Sequence, residues 1–376
     1  MKNKRCYAKI SVNNFLHNFE CIKDMLPETC SVIPVIKANA YSHGAVELAR
    51  ALTGKVSTFA VAEMDEALAL RENGIKNGIL ILGYTDPAFA TVIADNGITQ
   101  TVTNLKYARE LSSRLGGLTL DVHLKLDTGM HRLGFDVEAE NTLDEIAEVS
   151  RLSGISVKGI FTHFAESDDL SSGYTDLQLE RFRSTLSRLK EMGVDTGMAH
   201  CANSAALLTR PDTLMDGVRP GIILYGAYPS REVKERYLSE HPDMPLREAM
   251  TLCAKVGQVL KVKKGESVGY CRTHVFDRDS VIATVTAGYA DGIPRALSNK
   301  GRVMINGESF NIVGNVCMDL LMVDITDAAT DIAPGNEVTF WGSESISVDE
   351  YAALSGTISY ELYTGISPRV LKIYTE

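Results

Sequence analysis

Over its first two thirds the chain alternates short runs of β-branched and other apolar residues with segments of helical period, and this alternation limits the fold more than any other feature. Parallel strands need such crossovers, so the pattern belongs to an α/β fold. The apolar runs fall at 32–36, 58–61, 78–82, 99–102, 118–125, 157–162, 198–201 and 217–219. Between the first two, Ala45, Leu48, Ala49 and Leu52 recur at the spacing of a helix with one buried face, and 176–192 reads as a longer helix of the same kind. Eight strand-helix repeats suit a (β/α)₈ TIM barrel, and an open doubly wound sheet gives the same pattern. From about residue 245 the pattern changes. Residues 250–262, 281–286, 302–305, 311–316, 321–325 and 338–341 read as strands, divided by turn signals such as Lys264-Gly265, Asn306-Gly307 and Pro334-Gly335. The expected architecture is an N-terminal TIM barrel over 1–240 and a C-terminal mostly-β domain over 241–376, with the charge-rich stretch 231–241 as the connection.

Composition narrows the function. At 376 residues and 45% hydrophobic the chain can bury full cores, and a net charge of −10 without clustered Lys and Arg argues against a nucleic-acid partner. The seven cysteines, Cys6, Cys21, Cys30, Cys201, Cys253, Cys271 and Cys317, show no metal-ligand spacing; no metal is expected, and they read as reduced thiols in a cytoplasm. No apolar run approaches a membrane span, and the N-terminal residues lack the apolar region of a signal peptide. A small-molecule enzyme fits best.

In a TIM barrel the active site gathers at the C-terminal ends of the strands. Lys37, Lys125, His163 and Arg219 end the first, fifth, sixth and eighth runs, and Asn203-Ser204 follow the seventh. Each alone reads as a solvated strand end; their coincidence points to a site. An apolar run delivers the Lys37 amine to the barrel mouth, where desolvation lowers its pKa and makes it a nucleophile able to form a Schiff base. Asn203-Ser204 and Pro220-Gly221-Ile222 occupy the places where barrels commonly cradle a phosphate. A Schiff-base lysine with a phosphate cradle suggests pyridoxal phosphate.

The chain resembles the alanine racemase family over nearly its whole length. The segments that carry the resemblance are Val35-Ile36-Lys37-Ala38-Asn39-Ala40-Tyr41, Lys125-Leu126-Asp127-Thr128-Gly129-Met130, Phe161-Thr162-His163-Phe164-Ala165, His200-Cys201-Ala202-Asn203-Ser204, Val218-Arg219-Pro220-Gly221, Gly288-Tyr289-Ala290-Asp291-Gly292 and Val316-Cys317-Met318-Asp319. The resemblance implies pyridoxal 5′-phosphate as cofactor, racemisation of alanine for cell-wall peptide precursors, and a homodimer with shared sites. It implies Lys37 as the cofactor's lysine and one acid/base group, with Tyr270 of the opposite subunit as the other. Two such groups on opposite faces are what racemisation requires. It places Arg219 against the pyridine nitrogen, where a cation that stays protonated leaves that nitrogen unprotonated and so disfavours transamination. His163 is in line to bond Arg219 or Tyr270. Lys125 matches a lysine commonly carbamylated and Arg132 the arginine beside it; the plain alternative for Lys125 is a structural strand-end lysine. Tyr41 and Tyr360 match phosphate-contacting tyrosines, and Tyr289 and Met318 match substrate-pocket residues, with Met318 reaching in from the partner. The chain departs from the family at His131 and Ser42, where glycine is common, and at Asn315, where arginine is frequent.

Three other readings stay open at this level. A serine racemase of the glycopeptide-resistance type is one, because a pocket shaped for a methyl rejects an added hydroxyl by roughly a hundredfold at best; the bulk of Tyr360 favours alanine. A decarboxylase of related fold should lack the Arg219 arrangement. A single-barrel pyridoxal-phosphate-binding protein should lack the domain that carries Tyr270 and Met318.

Overall fold

The computed structural model describes residues 5–342 and 345–376. The eight expected runs form one parallel sheet, in the order Ser31–Val32, Gly217–Val218, Met198–His200, Ile155–Phe161, Leu120–Asp127, Ile98–Val102, Gly78–Ile81, Thr58–Val61. Closure decides between barrel and open sheet. Val35 bridges Ala60, Ile36 N–H donates to Ala60 O at 2.9 Å and Ala60 N–H to Pro34 O at 2.9 Å, while Val35 N–H donates to Pro220 O at 2.9 Å on the other side. The first segment thus joins the last strand to the second, and the sheet is a barrel. Its regular part is only Ser31–Val32, shorter than the expected run, because Pro34 has no N–H to give a ladder.

The surrounding helices follow the expected periodicity. Tyr174–Glu191 buries Thr175, Gln178, Leu179, Phe182, Thr185 and Leu189 along one face. The charge-rich stretch expected to be a connection is a helix, Arg231–Glu240. Ser230 caps it by accepting from Val233 N–H, and Val233 and Tyr237, four apart, bury its inner side, while the charges pair at i,i+4 as Arg231–Glu235 and Arg236–Glu240 on the outside.

The second sheet closes as well. Met250–Val262 pairs antiparallel with both Glu337–Trp341 and Ser280–Val285, and the ring is completed through Leu321–Asp324, Glu308–Val313 and Arg302–Ile305. Asn306 and Gly307, with φ of 49° and 84°, make the two-residue hairpin their sequence signals. One feature departs from the expected domain spans. Cys6–Ser11 lies in this second sheet, antiparallel to Met250–Val262 and parallel to Leu371–Thr375, so both ends of the chain are sewn into it. Among the described residues, no helix is long and apolar enough to cross a membrane.

Candidate active site

A cleft of about 820 Å³ opens at the C-terminal ends of the barrel strands, and Lys37, Tyr41, Lys125, Arg132, His163, Asn203, Ser204, Arg219, Gly221, Ile222 and Tyr360 all line it. Lys37 leads into an unusual backbone. Ala38, Asn39, Ala40, Tyr41 and Ser42 all have φ between 51° and 62°, the left-handed region that costs an L-residue about 1–2 kcal/mol. The run is held by local bonds: Ala40 N–H to Ile36 O at 2.8 Å, Ser42 N–H to Ala38 O at 2.9 Å, and the buried His43 Nδ1–H to Tyr41 O at 2.8 Å. The Glu66 carboxylate accepts from Ala38 N–H and, at 2.7 Å, from Ala62 N–H, tying the turn to the neighbouring strand. Strain of this kind persists only where the surroundings over-determine it. It turns Lys37 and Tyr41 onto the same cleft. Burial, with Arg132 reinforcing it and Glu66 opposing it, lowers the Lys37 pKa and favours the neutral amine.

Arg219 is buried at the centre. Nη1 donates to His200 Nδ1 at 2.7 Å and to His200 O at 3.0 Å; Nη2 donates to Thr162 O at 2.6 Å, Cys201 O at 3.1 Å and His163 Nδ1 at 3.3 Å. These bonds fix the imidazoles. His200 and His163 accept at Nδ1 and so carry their protons on Nε2, and His200 Nε2–H then donates to His123 Nδ1 at 2.9 Å. Burial and the adjacent guanidinium hold His163 and His200 well below the usual imidazole range, and bring His123 down to about 4. Burial also pushes Arg219 down to about 10, with Cys201 opposing and Arg132 reinforcing the shift, so it stays a cation at neutral pH. Among the described residues no acceptor takes its Nε–H, which leaves one donor for a ligand.

The far wall supplies hydroxyls. Asn203 caps Ser204–Thr209, and Ser204 Oγ accepts from Gly221 N–H at 2.9 Å, keeping its own proton to donate. A Cβ on Gly221 would lie 2.7 Å from the Tyr41 hydroxyl, so glycine there keeps the recess open. The hydroxyls of Tyr41 and Tyr360, whose rings pack 6.1 Å apart, make no hydrogen bond with the described residues. Burial raises both above the usual phenol range and keeps them as donors. Three hydroxyl donors around a recess fit a phosphate. With the Lys37 amine and Arg219 Nε–H, the donor set fits pyridoxal phosphate.

Lys125 is buried, donates to Leu126 O at 2.6 Å and stands 5.6 Å from the Phe161 ring. Burial, reinforced by Arg219 and Arg132 against Asp127, pushes its pKa down to about 7.

Three expected residues are not on this cleft. Tyr270, Tyr289 and Met318 lie on the β domain, are 70%, 43% and 52% exposed, and do not line the cleft that holds Lys37. Tyr270 sits in a tight turn with Cys271 and Arg272 at φ 60° and 54°, and Asn315 Nδ2 donates to Tyr270 O at 2.8 Å.

Comparison with known proteins decides the family. The profile of the alanine racemase N-terminal domain matches residues 10–229 and that of the C-terminal domain residues 249–374. The chain belongs to the alanine racemase family. It is 44% identical to the alanine racemase of Carboxydothermus hydrogenoformans over 98% of this chain and 99% of that one. It superimposes on the alanine racemase of Clostridium difficile 630 with a TM-score of 0.94 and 39% identity, over 100% of this chain and 97% of that one. A Bacillus anthracis alanine racemase with bound L-Ala-P gives 0.92 and 34%, over 100% and 96%.

Two residues of this alanine racemase family site escaped the sequence reading. In the sequence His200 is one residue of a motif and His123 one position of a strand, with no neighbour along the chain that gives either a role. One signal was available: Gly159 on the neighbouring strand, where a Cβ would lie 2.5 Å from the His123 ring, marks a place where the sheet makes room for a large inward side chain. Ser42, with φ of 62°, holds a left-handed conformation that glycine adopts without a Cβ penalty.

Proposed function

We propose that this protein interconverts L- and D-alanine with pyridoxal 5′-phosphate, as a homodimer in which the barrel, joined by Tyr360 from the β domain, binds the cofactor and the rest of the β domain completes the partner's site. The observation that carries the reading is Arg219: a buried cation whose Nη groups are consumed by the protein and whose Nε–H is left for a ligand in the cleft that holds Lys37. Bound there, pyridoxal phosphate supplies the electron withdrawal that makes the substrate's Cα–H acidic. Ser204, Tyr41 and Tyr360 would hold its phosphate alongside Asn203, Gly221 and Ile222, and Arg219 would donate to its ring nitrogen without protonating it. His163 fixes Arg219 from the side. Lys37 takes or returns the Cα proton on one face, and the partner subunit's Tyr270 does so on the other. Arg132, Tyr289 and Met318 bound the substrate, with Met318, and Tyr289 on the turn bonded to it, reaching over from the partner.

Alanine is favoured over serine by the names of the relatives, by the L-Ala-P bound to one of them, and by the packing of Tyr360 against Tyr41. The retained Arg219 speaks against a decarboxylase. The free cysteines suit a cytoplasmic enzyme supplying D-alanine for cell-wall peptide precursors. The direct test is to incubate the purified protein with each L-amino acid and separate the products by chiral chromatography. D-alanine should dominate, and D-serine in excess of it would overturn the assignment. The shared site has its own test. Lys37→Ala and Tyr270→Phe, each inactive alone, should regain activity when mixed, since one site of the heterodimer holds both native groups. No recovery after confirmed subunit exchange would refute sharing.

Lys125 is proposed as a carbamate. Its neutral amine attacks CO₂, the new N–C bond forms and one proton leaves to solvent, which turns a lysine into an anion beside Arg132. Because its folded pKa is lowered to about 7, the reactive amine gains population as pH rises through that value. With ¹³C-bicarbonate, a carbamate resonance should grow through neutral pH and vanish in Lys125→Ala. No resonance at alkaline pH would sink the assignment.

A further inference from the structure

The turns that carry Tyr289 and Met318 are joined backbone to backbone. Tyr289 N–H donates to Cys317 O and Ala290 N–H to Met318 O, each at 3.0 Å. A Cβ on Gly288 would lie 2.3 Å from Cys317 O and 2.5 Å from Met318 O, so the approach depends on glycine. Beneath them lies Asp291, with no solvent exposure. Its Oδ2 accepts from Gly288 N–H at 2.9 Å, and its Oδ1 accepts from Arg5 and, at 2.8 Å, from Arg369 Nε. Arg369 Nη2 continues to Asp319 Oδ1 at 2.8 Å, beside Met318, and Arg5 Nη1 donates to Asp319 O and Thr286 O, both at 2.9 Å. The two arginines come from opposite ends of the chain. They meet because Arg5 directly precedes Cys6–Ser11 and Arg369 lies just before Leu371–Thr375, two strands that run parallel side by side.

We propose that the ion cluster Asp291–Arg5–Arg369–Asp319 is a positioning unit that fixes Tyr289 and Met318 for the substrate. The inference rests on the reading that these two residues bound the substrate pocket of the partner. Tyr289 and Met318 are exposed on the single chain and have no core to hold them, so their placement has to come from the backbone beneath. A buried carboxylate shared by two guanidiniums holds that backbone from one side, and Arg369 extends the hold from the Tyr289 turn to the Met318 turn. Among the described residues the cluster makes no bond to Lys37 or Tyr270, the two proton-transfer groups of the proposed reading, so it acts on substrate placement and leaves proton transfer alone.

Asp291→Asn keeps the shape and removes the charge. The expected result is a KM for L-alanine raised about tenfold, with kcat within about threefold of wild type. Arg369→Gln, at a half-exposed position, should give the same split and serves if the buried variant does not fold. Asp291→Asn is then mixed with about a tenfold excess of Lys37→Ala, so that mass action places most of its chains in heterodimers. The working site of each heterodimer takes Tyr289 and Met318 from the chain with native Asp291, and KM should return to the wild-type value. Folded variants whose KM is unchanged, or whose kcat falls alone, overturn the proposal. A raised KM that persists in confirmed heterodimers supports positioning and overturns only the shared-site reading.

Discussion

Lys37→Ala should abolish racemisation, lowering kcat by more than about ten-thousandfold, the upper end of what a positioned proton-transfer group contributes. That factor corresponds to about 5.5 kcal/mol of barrier. The amine sits at the cleft with its pKa lowered by burial, so it is neutral, and able to accept a proton, at a lower pH than a free lysine. The activity of the native enzyme should therefore fall as pH drops and the amine protonates. Loss of fold does not account for the expected effect. The left-handed run after Lys37 is held by backbone bonds and by Glu66, Asn39 and His43, none of which the substitution touches. Borohydride treatment followed by mass spectrometry gives an independent readout. The native chain should retain one cofactor after reduction on the peptide containing Lys37, and the variant none. A reduced adduct on another lysine, or activity above about one percent of native, would rule out the assigned role.

What the sequence made legible was whatever depends on neighbours along the chain. Thr58–Val61 and Met250–Val262 are visible as strands because β-branched and apolar runs end at turn residues, and the Asn306-Gly307 hairpin is visible because two positive φ angles are needed there. Cys6–Ser11 and Leu371–Thr375 were not, since what makes them strands is each other and Met250–Val262, across most of the chain. The left-handed run 38–42 carries no glycine to announce it, and its cause lies in Glu66 and His43. The stretch 231–240 looked like a linker because charges cover its outer face, while only Val233 and Tyr237 mark the inner one.

The site divides in the same way. Lys37, Lys125, His163 and Arg219 could be picked out because strand ends of a barrel converge, and they line one cleft. His200 and His123 could not, because a buried histidine reads as core until its partner is known, and their partners are Arg219 and each other. Asp291 was hidden for the same reason, as its partners stand at positions 5 and 369.

Arg219→Glu should lower racemisation about a thousandfold, roughly 4 kcal/mol of barrier, and raise transamination relative to it. Arg219 now satisfies His200 Nδ1, His163 Nδ1 and the carbonyls of Thr162, His200 and Cys201. A carboxylate offers none of those donors. The two imidazoles, held well below their usual range by burial and then by the neighbouring cation, would lose the second of these causes and face a carboxylate to which they could donate. On the proposed reading, a carboxylate facing the ring nitrogen would favour its protonated form, the form in which pyridoxal phosphate would best support transamination, with pyruvate as the product. Loss of stability is separable from this effect. Arg219→Lys also breaks the bidentate bonding but keeps the cation, so it should lose activity without changing the ratio of pyruvate to D-alanine. The ratio is the measurement that matters, taken on protein shown to retain its cofactor. If Arg219→Glu leaves it at the native value, the guanidinium does not govern the ring nitrogen and another explanation is needed for its five hydrogen bonds.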